Sequence, residues 1–172
     1  MNGFALLPKL TAKARKSPGW LRLLNLLLAR IIPFNRPHGF AIEEIREDYL
    51  RTVAPYKRKN HNHLRGIHAC AIATIAEFSG GFLLLSRLDP RKYRLIMSRI
   101  EVDYLYQAKE RIVSESHLPE VRLQQEIIEP LRQQEAITIR MESRIADISG
   151  NQVAVAFTTW QVKRWDRVRT KI

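Results

Sequence analysis

The fold of this chain is decided by one stretch, Asn62-His-Leu-Arg-Gly-Ile-His68-Ala-Cys-Ala-Ile-Ala-Thr-Ile-Ala-Glu77. The stretch opens a run over residues 66–85 in which nearly every residue is small or apolar. A run without a polar face predicts a helix that is buried on all sides. Two adjacent glycines, Gly80 and Gly81, predict a soft spot in that helix.

Glu77 is the one acidic residue in the run. An ionised carboxylate in an apolar site is costly unless it is paired, and its perturbed pKa makes it a functional candidate. Asn62 and His68, which stand just ahead of the helix, support that interpretation. The alternative is a structural Glu77 that is satisfied by a salt bridge or a backbone amide. Cys70 lies inside the apolar run, so we expect a small core side chain and not a nucleophile.

Length and composition predict one globular domain. The 172 residues are enough for a proper core, and 45% hydrophobic with 27% charged residues excludes a disordered chain. The formal charge of +12 implies an anionic partner, which would be nucleic acid, a membrane surface or a polyphosphate ligand. A single cysteine excludes an intramolecular disulfide and fits a reducing compartment, so a cytoplasmic protein is expected.

Residues 1–36 are expected to form an amphipathic helical extension, and residues 37–172 a single domain. The apolar part, residues 20–34, is shorter than the roughly 20 residues of a membrane-spanning helix and lacks the cleavage site of a signal peptide. Pro33 and Pro37 end the helix. It could dock on its own domain or lie on a membrane surface. Its expected apolar stripe consists of Leu21, Leu24, Leu28 and Ile32.

The remaining elements are predicted from hydrophobic periodicity. Residues 38–54 predict one bent strand or two short ones, and strands follow at 99–106 and 110–116. Residues 118–134 predict a helix bent at Pro130, with apolar positions at Val121, Ile127, Ile128 and Leu131. Residues 137–145 and 153–157 predict a β-hairpin around Gly150. The expected fold class is α+β, an antiparallel sheet whose last four strands form a meander wrapped around the central helix.

Within this pattern, Asn62, His68 and Glu77 resemble the motif of hotdog-fold acyl-CoA thioesterases, near the phenylacetate-pathway enzymes and an uncharacterised DUF4442-like branch. Members carry Asn, a His six positions later that opens the central helix, and an acidic residue nine positions beyond. The likeness spans residues 40–165. It implies the hotdog fold, here with an extra N-terminal helix and an inserted helix between strands. It also implies a homodimer or dimer of dimers, joined edge to edge, with active sites at the interface.

The chain departs from the family where Gly-Gly usually follows the His, because Ala69-Cys70 stands there. The backbone N–H of Ala69 remains a candidate oxyanion donor, since a helix N-terminus presents free amides and the positive end of its dipole.

The expected reaction is thioester hydrolysis with no cofactor, in which Glu77 is a general base or a nucleophile. Nine residues separate Glu77 from His68 by roughly 13 Å along a helix and place them on opposite faces. The two residues cannot both touch one carbonyl within a single subunit. A symmetric dimer would solve this by sharing each site between two chains.

Coenzyme A also gives the positive charge a purpose, because its phosphates require cations. The candidate cations, which would serve an acyl-CoA or an acyl-carrier substrate, are Lys57, Arg58, Lys59, Arg91 and Lys92. No metal site is expected, since the nearby histidines lack accompanying Cys, Asp or Glu ligands. No nucleic-acid-binding motif is recognised. The alternative function is a hotdog protein that binds acyl groups or acyl-CoA without turning them over, in contact with a membrane.

Overall fold

In a computed structural model of the chain, which describes residues 6–168, a six-stranded antiparallel sheet wraps around one long helix. The α-helices are α1 (Leu7–Ala14), α2 (Pro18–Ile31), α3 (Asn35–His38), α4 (Ala69–Arg87), α5 (Glu120–Leu123) and α6 (Pro130–Gln133). The strands are β1 (Ala41–Ile45), β2 (Tyr49–Ala54), β3 (Tyr93–Tyr104), β4 (Ile112–His117), β5 (Ala136–Asp147) and β6 (Gln152–Arg164).

The spatial order of the strands is β1-β2-β4-β5-β6-β3. The predicted hairpin of β5 and β6 is confirmed, with Gly150 at φ 89° in its turn. The predicted four-strand meander is wrong, because β3 pairs with β6 at the far edge while β4 pairs with β2. The chain makes this crossing after β3, where the carbonyl of Ala108 accepts a hydrogen bond from the N–H of Ile67 ahead of α4.

The central helix α4 runs unbroken for 19 residues, so the soft spot expected at its two glycines is absent. Both glycines face the sheet at close range. A Cβ atom at Gly80 would lie 3.1 Å from Oγ1 of Thr158. Helix α4 is long and apolar enough to cross a membrane, but most of its apolar length is buried inside this fold.

A layer of buried hydroxyl groups fixes α4 against the sheet. The Oγ atom of Ser79 lies 2.8 Å from that of Ser114 and 3.0 Å from that of Ser116. Ser143 donates a hydrogen bond to the carbonyl of Ala76, at 3.1 Å. Because buried polar groups that satisfy one another specify a single arrangement, this layer sets the height and rotation of the helix.

Helix α2 docks on the domain and covers the β1 edge of the sheet. Leu24 and Leu28 are buried in the common core, and Leu21 and Ile32 pack against it. The side chain of Asn25 accepts a hydrogen bond from the N–H of Ile42 at 2.7 Å and donates one to its carbonyl at 2.8 Å. The apolar stripe for which the sequence left two roles open, docking on the domain or contact with a membrane, therefore packs on the core.

The insert between β4 and β5 is helical, as expected, but it contains a π turn over Gln124–Ile128 directly before Pro130. Pro130 lacks an N–H and would crowd the carbonyl four residues earlier in a regular helix. The predicted positions Ile127 and Leu131 are buried and Ile128 packs against the core, while Leu123 is buried in addition. Val121, predicted to be an apolar contact, is 62% exposed.

Candidate active site

One face of α4 is left open by the sheet. It carries Cys70, which is exposed, followed by the partly buried Ala73, Thr74 and Glu77. The interpretation of Cys70 as a buried core residue is therefore wrong. The helical turn that carries Cys70 faces outward, because the sheet of a single chain covers only part of this end of α4.

Glu77 is partly buried, with no ion pair and no side-chain hydrogen bond to any residue in the described range 6–168. The structural alternative, a Glu satisfied by a salt bridge or an amide, finds no support there. Burial raises the pKa of Glu77 above its ordinary value, because the charged form loses water without gaining a partner. A carboxylate in this state is a stronger base than an exposed glutamate.

Gly81 and Trp160 lie beside Glu77 on the inner side of the helix. A Cβ atom at Gly81 would lie 2.5 Å from Cη2 of Trp160 and 3.5 Å from Oε1 of Glu77. Only glycine at this position lets the indole ring and the carboxylate share one turn of the helix. The Nε1–H of Trp160 donates to Oγ1 of Thr158 at 2.9 Å, so the indole offers Glu77 no donor.

The motif residue Asn62 organises the loop that leads into α4. Its Oδ1 accepts hydrogen bonds from the N–H groups of Leu64 and Gly66, at 2.9 and 3.0 Å. Within this loop Arg65 has a φ of 60°, a left-handed conformation that is unfavourable for a residue with a side chain. Strained backbone of this kind is concentrated at functional sites. The amide nitrogen of Asn62 makes no hydrogen bond within residues 6–168, so it is free to donate.

His68 caps the N-terminus of α4. Its Nδ1 accepts a hydrogen bond from the N–H of Cys70 at 3.0 Å, so a neutral His68 carries its proton on Nε2. The N–H groups of Ala71 and Ile72 bond to the carbonyl of His68. Among the described residues the N–H of Ala69 has no acceptor, which leaves it available for a developing oxyanion.

Tyr104 joins this end of the site, although the sequence indicated only a strand position for it. Its hydroxyl donates to the carbonyl of Ala69 at 3.2 Å. Burial, and secondarily the neighbouring Cys70, raise its pKa, so the hydroxyl stays protonated. The signal in the sequence was weak, because alternation along β3 identifies the face of the sheet but not the helix end that it meets.

The structure separates the candidate residues into two groups. Asn62, His68 and Ala69 lie at the start of α4, while Glu77 lies roughly 13 Å further along the axis. The candidate cations divide in the same way. Lys57, Arg58 and Lys59 belong to the loop before α4, whereas Arg91 and Lys92 follow its C-terminal end. Arg91 is engaged in an ion pair with Asp89 at 2.9 Å.

Strand β3 forms an open edge beside these residues. It has twelve residues, pairs on one side only, and contains no fully buried residue. Its inward-facing side chains Leu95, Met97 and Val102 are only partly buried. Within residues 6–168, no three His, Cys, Asp or Glu side chains are grouped so that they could hold a metal ion.

The sequence family described as "Domain of unknown function (DUF4442)" matches residues 21–162. The chain belongs to the DUF4442 family. No curated protein sequence matches this DUF4442 chain significantly. Its α1 helix lies outside the matched range.

Solved structures resemble this DUF4442 chain over most of its length. A Pseudomonas aeruginosa protein of unknown function, described as a "Probable Thioesterase", shares 26% identity with a TM-score of 0.76, covering 83% of this chain and 95% of that protein. A Haemophilus influenzae thioesterase shares 14% identity with a TM-score of 0.66, covering 84% of this chain and 90% of that protein. A Chlorobaculum tepidum protein of unknown function shares 15% identity with a TM-score of 0.72, covering 87% of this chain and 98% of that protein. The chain has the hotdog fold, as its motif residues predicted.

Proposed function

We propose that this protein hydrolyses acyl-CoA-type thioesters at a site completed by a second copy of the chain. The general activity is supported by its likeness to structures described as thioesterases. The observation that carries the specific proposal is Glu77, a partly buried carboxylate with a raised pKa and no protein partner among the described residues, on the open face of α4. A group of this kind suits general-base or nucleophilic attack at a thioester carbonyl.

The oxyanion donors in this proposal come from the start of α4. The N–H of Ala69 and the Nε2–H of His68 point to no acceptor within residues 6–168, and the helix dipole adds positive potential at the same place. The amide nitrogen of Asn62 provides a third donor. These groups would stabilise the negative charge that develops on the carbonyl oxygen during attack.

A second copy paired along β3 would join the two halves of each site. The end of β3 lies at the start of α4, through Tyr104 and Ala69, while β3 begins just after α4 ends. Antiparallel pairing of two β3 strands would therefore bring the donor end of one chain toward Glu77 of the other. The same arrangement would bring Arg91 and Lys92 of one copy near the basic loop of its partner, where coenzyme A phosphates require cations.

Replacement of Glu77 tests the catalytic assignment. Glu77→Gln preserves volume and removes the charge, so hydrolysis of acyl-CoA should fall on the order of 10²–10⁴-fold. Released coenzyme A is measured with a thiol-reactive dye, after subtraction of the signal from the exposed thiol of Cys70. The control is Glu47→Gln, the same change at an exposed position in the turn between β1 and β2. Full activity in Glu77→Gln would refute the assignment, and unfolding would favour a structural role.

The alternative function, binding of acyl-CoA without hydrolysis, predicts a different result. Wild type would then bind acyl-CoA and release no thiol from any member of an acyl-CoA panel, and Glu77→Gln would bind equally well.

Mixing two inactive variants tests whether sites are shared. After subunit exchange, equal amounts of Glu77→Gln and Asn62→Ala should recover roughly a quarter of wild-type activity, because half of the dimers are mixed and each has one intact site. Absence of recovery, with exchange verified by mass, would mean that each site is built within one chain.

A further inference from the structure

Helix α2 is apolar on two opposite sides. Its inner side places Leu24 and Leu28 in the core, with exposures of 0% and 4%. Its outer side presents Trp20, Leu23 and Leu26, which are 36%, 40% and 56% exposed. Docking on the domain requires a single apolar stripe. The second stripe, here called the α2 outer face, has no partner in the described part of the chain.

Positive charge surrounds the α2 outer face. The first 42 residues contain seven Lys or Arg and no Asp or Glu. Arg22 and Arg30 are exposed on α2 itself, as are Lys9, Lys13 and Lys16 on or beside α1. The ammonium group of Lys13 lies 4.1 Å from the centre of the Trp20 ring, which places cations and apolar side chains on one surface.

Within residues 6–168, no carboxylate forms an ion pair with these cations. None of the ion pairs formed between residues 6 and 168 uses a Lys or Arg from the first 36 residues. The rest of the surface is different, since arginines of the sheet and insert pair with nearby carboxylates, such as Arg111 with Glu43 and Arg122 with Glu126. The uncompensated charge around α2 calls for an anionic partner outside the chain.

We propose that the α2 outer face docks on the surface of an anionic lipid bilayer. A helix that lies in the plane of a membrane combines an apolar face with flanking Lys and Arg, and Trp occupies the level of the headgroups. Leu23 and Leu26 enter the boundary of the acyl chains, while Arg22 and Arg30 reach the lipid phosphates with their long side chains. Two further exposed apolar residues stand just before α1 and just after α2: Leu6, 50% exposed, and Phe34, 62% exposed.

The position of α2 keeps this surface accessible. Helix α2 packs over β1, and β1 and β3 are opposite edges of the sheet. A second copy paired along β3 would therefore leave the α2 outer face uncovered. Membrane docking does not depend on the proposed hydrolysis, because none of these residues belongs to the α4 site.

The experiment is co-sedimentation of the full chain with vesicles of phosphatidylcholine and phosphatidylserine, compared with vesicles of phosphatidylcholine alone. We expect binding to the mixed vesicles to be at least about 10-fold tighter, because anionic lipid attracts the cations. Raising the ionic strength from about 0.1 M to about 1 M should release the protein, since it shortens the screening length to about 3 Å. Emission from Trp20 should shift to shorter wavelength on binding, and Trp20→Phe should remove that shift.

The decisive variant replaces Leu23 and Leu26 with Ser, which should weaken binding to mixed vesicles by about 10-fold or more. Its matched control replaces Val121 and Ile148 with Ser, two residues of comparable exposure (62% and 58%) elsewhere on the surface. A second variant, Arg22→Glu with Arg30→Glu, tests the charge without altering the apolar residues. Its binding to mixed vesicles should also fall.

Two results would overturn the proposal. One is wild type that never sediments with mixed vesicles, and the other is unchanged binding by both variants. In the first case, a lower oligomeric mass of the Leu23 and Leu26 variant would identify the face as an interface between copies.

Discussion

The two edges of the sheet differ in exposure: the β1 edge is covered by a helix, and the β3 edge is uncovered. Strand β1 has five residues and lies under α2, where the side chain of Asn25 bonds both backbone groups of Ile42. Strand β3 has twelve residues, contains no buried residue, and borders the open face of α4 that carries Glu77. Edge strands left uncovered invite pairing with another chain. The chain closes the edge that lies far from its candidate site and leaves open the edge beside it.

The largest expected effect comes from uncovering the closed edge. A chain that begins at Pro37 loses the core contacts of Leu24 and Leu28, worth about 1.5–3 kcal/mol each, from a total stability of about 5–15 kcal/mol. It should aggregate or melt far below the parent, as measured by thermal unfolding and by the soluble fraction. A soluble truncation that is as stable as the full chain would show that α2 does not protect this edge.

A charge on the open edge should be the next most damaging change. Ile100 is partly buried near the middle of β3, and its register partner Thr158 places it on the side of the sheet that faces α4. A Lys there would be buried further when two edges pair, and the charge would then have no partner. Ile100→Lys should yield monomers by analytical ultracentrifugation and lose about 10²-fold or more in activity, because Glu77 is separated from the oxyanion donors of the other copy. Glu44→Lys on β1 is the matched control and should keep mass and activity. Active monomers of Ile100→Lys would contradict the shared site.

The closed edge can also be weakened without removing α2. Asn25→Leu keeps the side chain close in size but leaves the N–H and C=O of Ile42 without partners, which should lower the free energy of unfolding by about 1–3 kcal/mol. The exposed amide Gln125, changed to Leu, serves as the control and should alter stability little. Chemical denaturation measures both. If the two variants were equally stable, the Asn25 hydrogen bonds would have no net value.

The smallest expected effect is the pH dependence of the free energy of unfolding that is caused by Glu77, beside the open edge. Its pKa is raised in the folded state, so the folded protein prefers the protonated form, and the associated stability is lost as pH rises through that raised pKa. Glu77→Gln should therefore be slightly more stable than wild type at neutral pH, with the difference vanishing below the ordinary glutamate pKa. Denaturation at several pH values measures this. The activity of wild type should rise with pH through the same raised pKa, and an inflection at the ordinary glutamate value would contradict it.

The helices and strands with a regular hydrophobic periodicity were predictable from the sequence. The central helix follows from an apolar run that contains a single carboxylate, and the β5–β6 hairpin follows from alternation around Gly150. Pairing partners are not encoded by alternation, so the position of β3 beside β6 was missed. One amphipathic helix was expected within residues 1–36, whereas the described residues there form two longer helices, α1 and α2.

The candidate site was only partly predictable for a physical reason. Apolar residues that face another surface have the same composition as those that face the core. Cys70 and the outer leucines of α2 therefore appeared as core positions or received no assignment, and the structure exposes them. The isolated carboxylate of Glu77 was recognisable, because a lone charge among apolar residues is conspicuous in any context. Its assignment as base or nucleophile stays a prediction.

The amide of Asn25 also has a consequence for stoichiometry. An antiparallel sheet with two free edges can add copies at both ends and grow into a fibre of indefinite length. Here the side chain of one helical residue occupies the two backbone groups at Ile42 that an added strand would use. If copies pair along β3 as proposed, the two β1 edges covered by α2 lie at the outer ends of the joined sheet. The amide of Asn25 would then oppose the pairing of a third copy at Ile42, which would limit edge-to-edge assembly to two copies.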